Sequence, residues 1–113
     1  MTTVEAPVWT AVCRLDDLLP ERGAAALLSG EQVAVFRLHD GAVRAVGNHD
    51  PLCGANVLSR GIVGTRGDRP VVVSPMHKQA YDLDTGACLD DPAVSVPVYP
   101  ARVRDGAVEV AVR

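Results

Sequence analysis

Alternation of apolar and polar residues with a period of two marks both ends of the chain. Residues 107–112 place Val108, Val110 and Val112 on one face, which is the pattern of a half-buried strand. Residues 98–104 form a second candidate strand that Pro100 breaks or confines to an edge. The dipeptide Asp105-Gly106 between them tolerates the positive φ angles of a tight turn. The C-terminal end therefore predicts a β-hairpin.

The same pattern recurs in the first half of the chain. Residues 32–38 and 42–46 read as two strands joined by a turn at Asp40-Gly41. Residues 23–28 are rich in alanine and have helix propensity, but six residues are too few for a stable helix. We expect them to form a strand that pairs with residues 33–38 across Ser29-Gly30. Residues 15–19 are expected to form one helical turn, which Pro20 ends.

Size and composition restrict the architecture to one domain over residues 1–113 with an all-β fold. The chain has 113 residues, a length typical of a single domain. Hydrophobic residues make up 48% of it, but aromatic residues only 4%, so the core must consist mainly of Val, Ala and Leu. The strand patterns predict an antiparallel β-sandwich or barrel.

Charge and cysteine content exclude several classes of protein. Eleven basic and fourteen acidic residues give a formal charge of −3, without the basic stripe that nucleic-acid binding requires. No apolar run approaches the length of a membrane span, and the N-terminus lacks the pattern of a secretory signal. The three cysteines are an odd number and fit a reducing compartment. We expect a cytoplasmic protein that binds neither nucleic acid nor membrane.

The middle of the chain differs from its ends. Residues 47–70 contain five glycines and two prolines, a density that predicts irregular loops. A buried strand at 70–73 and a short strand at 80–83 follow, and Asp84-Thr85-Gly86 reads as a turn. Long loops bounded by strands are usually functional, so the region of about 47–90 is the candidate functional part.

The spacing of the cysteines and histidines gives little support to a metal site or a reactive thiol. The cysteines lie far apart and form no Cys-x-x-Cys pair, which structural zinc sites usually contain. His49 and Cys53 are a close pair, whereas His77 and Cys88 lie 11 positions apart around a turn. A nucleophilic Cys53 with His49 or His77 can be drawn, but no feature singles it out.

One pattern in this loop region resembles a known site. The run Ser74-Pro75-Met76-His77 and the later Tyr81 and Thr85-Gly86 resemble the second loop of Rieske iron–sulfur domains, which reads Cys-Pro-x-His. In those domains two Cys and two His hold a two-iron cluster. Aligned with them, this chain has oxygen-bearing side chains at three of the four ligand positions, Asn48, Asp50 and Ser74. It keeps the ligand residue only at the fourth, His77.

In detail the loops resemble one family, the small subunit of assimilatory NAD(P)H nitrite reductase. The resemblance extends from Trp9 through the last hairpin and rests on residues 46–51, 54–64, 74–79 and 84–92. It implies a Rieske-like fold with an inserted, degenerate cluster-binding subdomain and no cofactor or catalytic centre in this chain. It also implies a large partner subunit, which carries siroheme, flavin (FAD) and an iron–sulfur cluster and reduces nitrite to ammonium with NAD(P)H.

The resemblance further implies a docking face near the degenerate site, because true Rieske domains expose their cluster there. The residues expected to form or border this face are Asn48, Asp50, Arg60, His77, Lys78 and Gln79. Hydrogen bonds from Asn48, Asp50 and Ser74 to loop backbone are an alternative role for those side chains.

Two other functions stay open at this point. The chain could be a ferredoxin-like electron carrier that retains a cluster through unusual ligands. It could also be a small module that binds a metal or ligand through His77, His49 and Cys53.

Overall fold

The computed structural model describes residues 8–76 and 78–111, and strands make up most of its regular structure. Single 3₁₀ turns lie at Leu15–Asp17 and Leu58–Arg60. Within the described residues, no helix has the length and apolar character needed to cross a membrane. The strands are β1 (Trp9–Arg14), β2 (Arg22–Leu28), β3 (Glu31–Arg37), β4 (Val43–Gly47), β5 (His49–Asp50), β6 (Ala55–Asn56), β7 (Ile62–Arg66), β8 (Arg69–Val73), β9 (Ala80–Asp82), β10 (Val98–Tyr99), β11 (Ala101–Arg104) and β12 (Ala107–Ala111).

Two antiparallel sheets form what we call the sheet half, with strand orders β1-β12-β11 and β10-β4-β3-β2. The predicted pairing of residues 23–28 with β3 is confirmed, with Ala24 opposite Val35. The short alanine-rich segment is therefore an extended strand and not a helix. The turn that follows it has positive φ at Ser29 and Gly30. The helical turn expected before Pro20 is confirmed as the first 3₁₀ turn.

Both predicted hairpins are present. Strands β3 and β4 pair with Val35 opposite Ala45, and β11 and β12 pair around Asp105-Gly106, both of which have positive φ. Val108 and Val110 are fully buried on one face, whereas Val112 lies outside the described residues. Pro100 divides the preceding strand, so that β10 pairs with β4 while β11 pairs with β12. The chain therefore changes sheets at the proline, and no described sheet closes into a barrel.

Strand β3 is buried on both faces and divides the core in two. Val33 and Val35 belong to a cluster with Val108 and Val110, which packs the two sheets together as a sandwich. Ala34 and Phe36 point the other way, into a cluster with Tyr81 and other residues of the loop region. A side chain at Gly23 would collide with the Phe36 ring, so glycine there permits the ring to pack against β2.

The remaining strands and turns form what we call the loop half, residues 48–96. It contains the two-stranded β5-β6 ribbon and the sheet β7-β8-β9. The irregular loop predicted over 47–70 is wrong for residues 62–66, which form β7 and pair with β8 despite Gly64. At Gly61 an added Cβ would lie 2.5 Å from the Val73 carbonyl oxygen, so glycine allows the 3₁₀ turn to approach β8. Buried Val71 and Val72 confirm the strand predicted from 70–73.

Candidate functional site

The first loop leaves β4 at Asn48, whose side chain is 2% exposed. The Asn48 amide donates to the Gln32 carbonyl at 3.0 Å, and its carbonyl accepts from the Leu58 amide at 3.1 Å. The Asn48 Oδ1 atom accepts from the Ser59 amide at 2.7 Å. Asn48 thus ties the start of the loop to β3 and to the second 3₁₀ turn.

Asp50, two residues on, is completely buried and joins three parts of the loop half. Its Oδ1 atom accepts hydrogen bonds from the Leu52 amide and from the Tyr81 hydroxyl, each at 2.9 Å. Its Oδ2 atom accepts a hydrogen bond from the Ser74 hydroxyl. We call Asp50, Ser74 and Tyr81 the Asp50 network.

This network keeps the carboxylate ionised although it is buried. Burial by itself raises the pKa of Asp50, but hydrogen bonds from Ser74, the Leu52 amide, Tyr81 and the Cys53 thiol outweigh it and hold that pKa below its usual range. Burial raises the pKa of Tyr81, and its bond to the Asp50 carboxylate raises it further. Tyr81 is therefore a neutral donor to a charged acceptor, which is the stronger type of hydrogen bond.

The second loop is a tight turn built around Ser74. The Ser74 amide donates to the Gln79 carbonyl at 2.9 Å, and the Lys78 amide donates to the Ser74 carbonyl at 3.0 Å. The Met76 amide donates to Ser74 Oγ at 3.3 Å, while Lys78 adopts a positive φ of 62°. His77 is the one residue that matches a ligand of the Rieske pattern, and it lies outside the described residues.

Four exposed residues in or near the two loops define what we call the loop face, namely Arg60, Ile62, Met76 and Lys78. Ile62 is 72% and Met76 58% exposed. Ile62 pairs with Val73, immediately before the second loop, and Arg60 lies two residues before Ile62. The loop face thus combines two cations with two large apolar side chains.

The structure separates the predicted docking residues into two levels. Arg60 and Lys78 are exposed, and Gln79 is half-buried. Asn48 and Asp50 lie beneath the surface, where a partner cannot contact them directly. The sequence analysis did not identify Ile62 or Met76, because an exposed apolar residue cannot be distinguished from a core residue by its identity alone.

A second buried carboxylate, Asp82, was also missed. Its Oδ2 atom pairs with the Arg69 guanidinium, and its Oδ1 atom accepts from the amides of Asp84 and Thr85 at 2.7 and 3.1 Å. Burial raises its pKa, but these bonds outweigh burial and lower it. Asp82 therefore fixes the predicted turn at 84–86. The signal in the sequence is its position two residues before Asp84, because an Asp side chain often accepts a hydrogen bond from the backbone amide two residues later.

Among the described residues, the possible thiol and imidazole ligands form no metal-binding group. His49 is exposed, with Nδ1 3.2 Å from Asn56 Oδ1. All three cysteines are free; Cys88 is buried, whereas Cys13 and Cys53 are half-buried. Over the described ranges 8–76 and 78–111, no three His, Cys, Asp or Glu residues are grouped so that they could hold a metal ion.

The residues that the Rieske resemblance places at ligand positions do not fit a [2Fe-2S] cluster. Such clusters are held by thiolates and imidazoles, whereas the three described positions hold an amide, a carboxylate and a hydroxyl. The Asp50 carboxylate and the Ser74 hydroxyl also bond directly to each other, which leaves no room for a cluster between them. Their geometry is that of a closed hydrogen-bond network between two loops.

Comparison with known proteins agrees with the Rieske-like fold. The model of the Rieske-like [2Fe-2S] domain family matches residues 8–111. The chain is 45% identical to the nitrite reductase (NADH) small subunit of Escherichia coli K12, over 90% of this chain and 95% of that protein. It is 40% identical to part of a nitrite reductase [NAD(P)H] large subunit from Klebsiella oxytoca, over 90% of this chain and 11% of that protein.

A solved structure from Mycobacterium tuberculosis, described as an NADH-dependent nitrite reductase small subunit, superposes with a TM-score of 0.91. The two chains are 60% identical, and the match covers 95% of this chain and 96% of that one. The fold and the paired loops define a Rieske-like domain whose described ligand positions are degenerate. Within that class, the chain belongs to the family of nitrite reductase small subunits.

Proposed function

We propose that this chain is the accessory subunit of an assimilatory NAD(P)H nitrite reductase, and that it docks on the large subunit without carrying a cofactor itself. The observation that carries the proposal is the Asp50 network, in which residues at cluster-ligand positions bond to one another in a protein of this family. A chain without a redox centre contributes by binding and positioning.

The chemistry in this proposal belongs to the large subunit. Siroheme, FAD and an iron–sulfur cluster there pass electrons from NAD(P)H to nitrite, which is reduced to ammonium. The similarity of the Klebsiella oxytoca large subunit to nearly all of this chain supports a role beside that chemistry, since in that protein the similar segment is part of the large subunit itself.

The loop face is the docking surface in this proposal. Arg60 and Lys78 make it locally cationic although the whole chain has a formal charge of −3. Ile62 and Met76 supply exposed apolar area between them, and a polar rim around apolar side chains is the usual composition of a protein interface. The complementary surface on the large subunit is therefore apolar at its centre and acidic at its edge.

The other predicted docking residues take supporting places. Asn48 and Asp50 hold the loops from below, since both are buried. The backbone carbonyl of Gln79 accepts a hydrogen bond from the Ser74 amide, and Gln79 borders the face. These residues act on docking through the shape of the loops.

Domain organisation and location complete the proposal. Residues 1–113 act as one domain, which is supported by the cluster that packs Phe36 of the sheet half against Tyr81 of the loop half. The three free cysteines are consistent with a reducing cytoplasm.

The test is the affinity of the full chain for the purified large subunit, measured by titration calorimetry at fixed ionic strength. Arg60→Glu and Lys78→Glu are each expected to weaken binding by roughly tenfold, because they place like charges against an acidic rim. The matched control is Arg104→Glu, which reverses an exposed cation beside the Asp105-Gly106 turn of the sheet half.

Charge reversal at Arg104 is expected to leave affinity unchanged within a factor of two, on the order of experimental error. Equal weakening by all three variants would contradict the loop face as the docking surface. Absence of any binding by the wild-type chain would contradict the accessory-subunit proposal itself.

A further inference from the structure

The two loops that carry the ligand positions are joined at one place by their side chains. Among hydrogen bonds between described residues, the bond from the Ser74 hydroxyl to Asp50 is the one that links the first loop to the second. The Tyr81 hydroxyl adds a link from β9 to the same carboxylate. In a cluster-bearing Rieske domain, iron–ligand bonds from both loops make this connection.

The network also extends from the buried core to the loop face. The Met76 amide donates to Ser74 Oγ, and the Ser74 hydroxyl donates to Asp50. On the other side, the Leu52 amide donates to Asp50 Oδ1. One buried carboxylate therefore connects the tip of the second loop to the turn of the first.

The carboxylate has a full set of donors and no cationic partner among the described residues. Four ion pairs occur there, and none of them includes Asp50. A buried charge stabilised entirely by hydrogen bonds depends on the position of each donor, so loss of one donor leaves the charge under-satisfied. The arrangement therefore favours one relative position of the two loops.

We propose that Asp50, Ser74 and Tyr81 are positioning residues that hold the two loops together in place of a cluster and thereby set the shape of the loop face. Ser74 is 1% exposed and Asp50 fully buried, so neither can act by contacting a partner. Their effect on docking, which rests on the proposed function, passes through Met76 and its neighbours.

The test is amide hydrogen exchange of the full chain, resolved by residue, with Ser74→Ala. The substitution lies in the second loop, but we expect the Leu52 and Gly54 amides of the first loop to exchange roughly tenfold faster or more, because Asp50 loses a donor. Amides of β3 keep their rates. Ser74→Thr, which keeps the hydroxyl, is expected to restore slow exchange.

The matched control is Tyr99→Phe. Tyr99 also donates a hydroxyl to a carboxylate, Glu31, at 2.5 Å, but this pair lies on the exposed side of the sheet half. Its loss should leave the exchange of Leu52 and Gly54 unchanged. Tyr81→Phe keeps the ring and removes only the donor, so it should accelerate hydrogen exchange at the Leu52 and Gly54 amides. It provides a second variant if Ser74→Ala fails to fold.

Acceleration confined to the second loop in Ser74→Ala, together with unchanged first-loop rates in Tyr81→Phe, would overturn the proposal. A second readout is the affinity of Ser74→Ala for the large subunit, expected to fall by roughly fivefold or more. If first-loop exchange rises and affinity does not change, the loops are held as proposed, and it is the loop-face docking proposal that fails.

Discussion

The sheet half and the loop half of this chain are stabilised by different means. In the sheet half, both packed sheets bury aliphatic side chains such as Val33, Val35, Val108 and Val110. In the loop half, buried carboxylates, an amide and a hydroxyl organise the backbone. The four buried polar side chains of the described residues all lie there, namely Asn48, Asp50, Ser74 and Asp82.

The difference shows that packed sheets and irregular loops need different kinds of side chain. Apolar packing is tolerant of exchange between similar side chains, so the sheets need only hydrophobic residues of suitable size. Irregular loops cannot satisfy their backbone groups by strand pairing and need specific polar partners. Asn48 and Asp50 supply such partners to the amides of Ser59 and Leu52.

The largest expected effect comes from a core substitution that destabilises both halves. Phe36 lies on β3 but packs with Tyr81 and Leu58 of the loop half. Phe36→Ala is expected to lower the free energy of unfolding by about 3–5 kcal/mol, because it opens a cavity in a core that both halves share. Chemical denaturation followed by Trp9 fluorescence measures the loss.

Amide exchange in the same variant should rise in both halves together. Leu27→Ala is the control, because Leu27 is 66% exposed and its truncation should change stability by less than about 0.5 kcal/mol. Loss of protection in one half alone would show that the core is not shared.

A smaller effect should be confined to the loop half. Asp50→Asn keeps the shape of the side chain but removes the charge and replaces an acceptor oxygen with a donor. It is expected to lower the free energy of unfolding by about 1–3 kcal/mol, since the hydroxyls of Ser74 and Tyr81 both donate to the carboxylate. Asp40→Asn serves as the control, because the exposed Asp40 accepts only from the nearby Ala42 amide.

Acid should weaken the loop half before the sheet half. The pKa of Asp50 and of Asp82 is lowered in the folded chain, so each stabilises it at neutral pH, above the ordinary carboxyl value of about 4. This contribution is lost as the pH falls through that value toward the folded pKa. Unfolding free energies measured from pH 7 to pH 3 should decline less steeply for Asp50→Asn than for the wild type, and parallel declines would contradict this assignment.

The smallest effect concerns an exposed bridge between the halves. Arg44 of β4 donates from Nε to Asp84 of the loop half at 2.7 Å, and both side chains remain partly exposed to solvent. Arg44→Ala is expected to change stability by about 0.2–1 kcal/mol, and by less in high salt, because solvent screens surface ion pairs. A loss comparable to that of Phe36→Ala would mean that charge, and not apolar packing, joins the halves.

The same contrast determines what could be predicted from the sequence. Period-two patterns and Asp-Gly or Ser-Gly turns identify β2, β3, β4, β11 and β12 because alternation and turn chemistry are local properties. Strand β7 was missed because Gly61 and Gly64 resemble loop residues, although one permits close packing and the other lies in a paired strand.

The site was predictable only in part. The spacing of Asn48, Asp50 and Ser74 identifies the two loops through their resemblance to cluster-binding motifs. That Ser74 and Tyr81 both donate to Asp50 depends on contacts 24 and 31 residues apart in sequence, which no local pattern contains. Burial of Asn48 and Asp50 likewise follows from tertiary packing, as does the exposure of Arg60 and Lys78.

The iron content of this chain tests the proposal that it carries no iron–sulfur cluster. The full chain is prepared anaerobically, incubated with iron, sulfide and reductant, and desalted, beside a ferredoxin that carries complete Cys-x-His and Cys-Pro-x-His motifs as the positive control. We expect a colourless chain with far less than one iron per molecule, because the side chains of Asp50 and Ser74 are hydrogen-bonded to each other and offer no thiolate or imidazole ligand. A brown chain that retains about two irons would contradict it and would identify an electron carrier with unusual ligands.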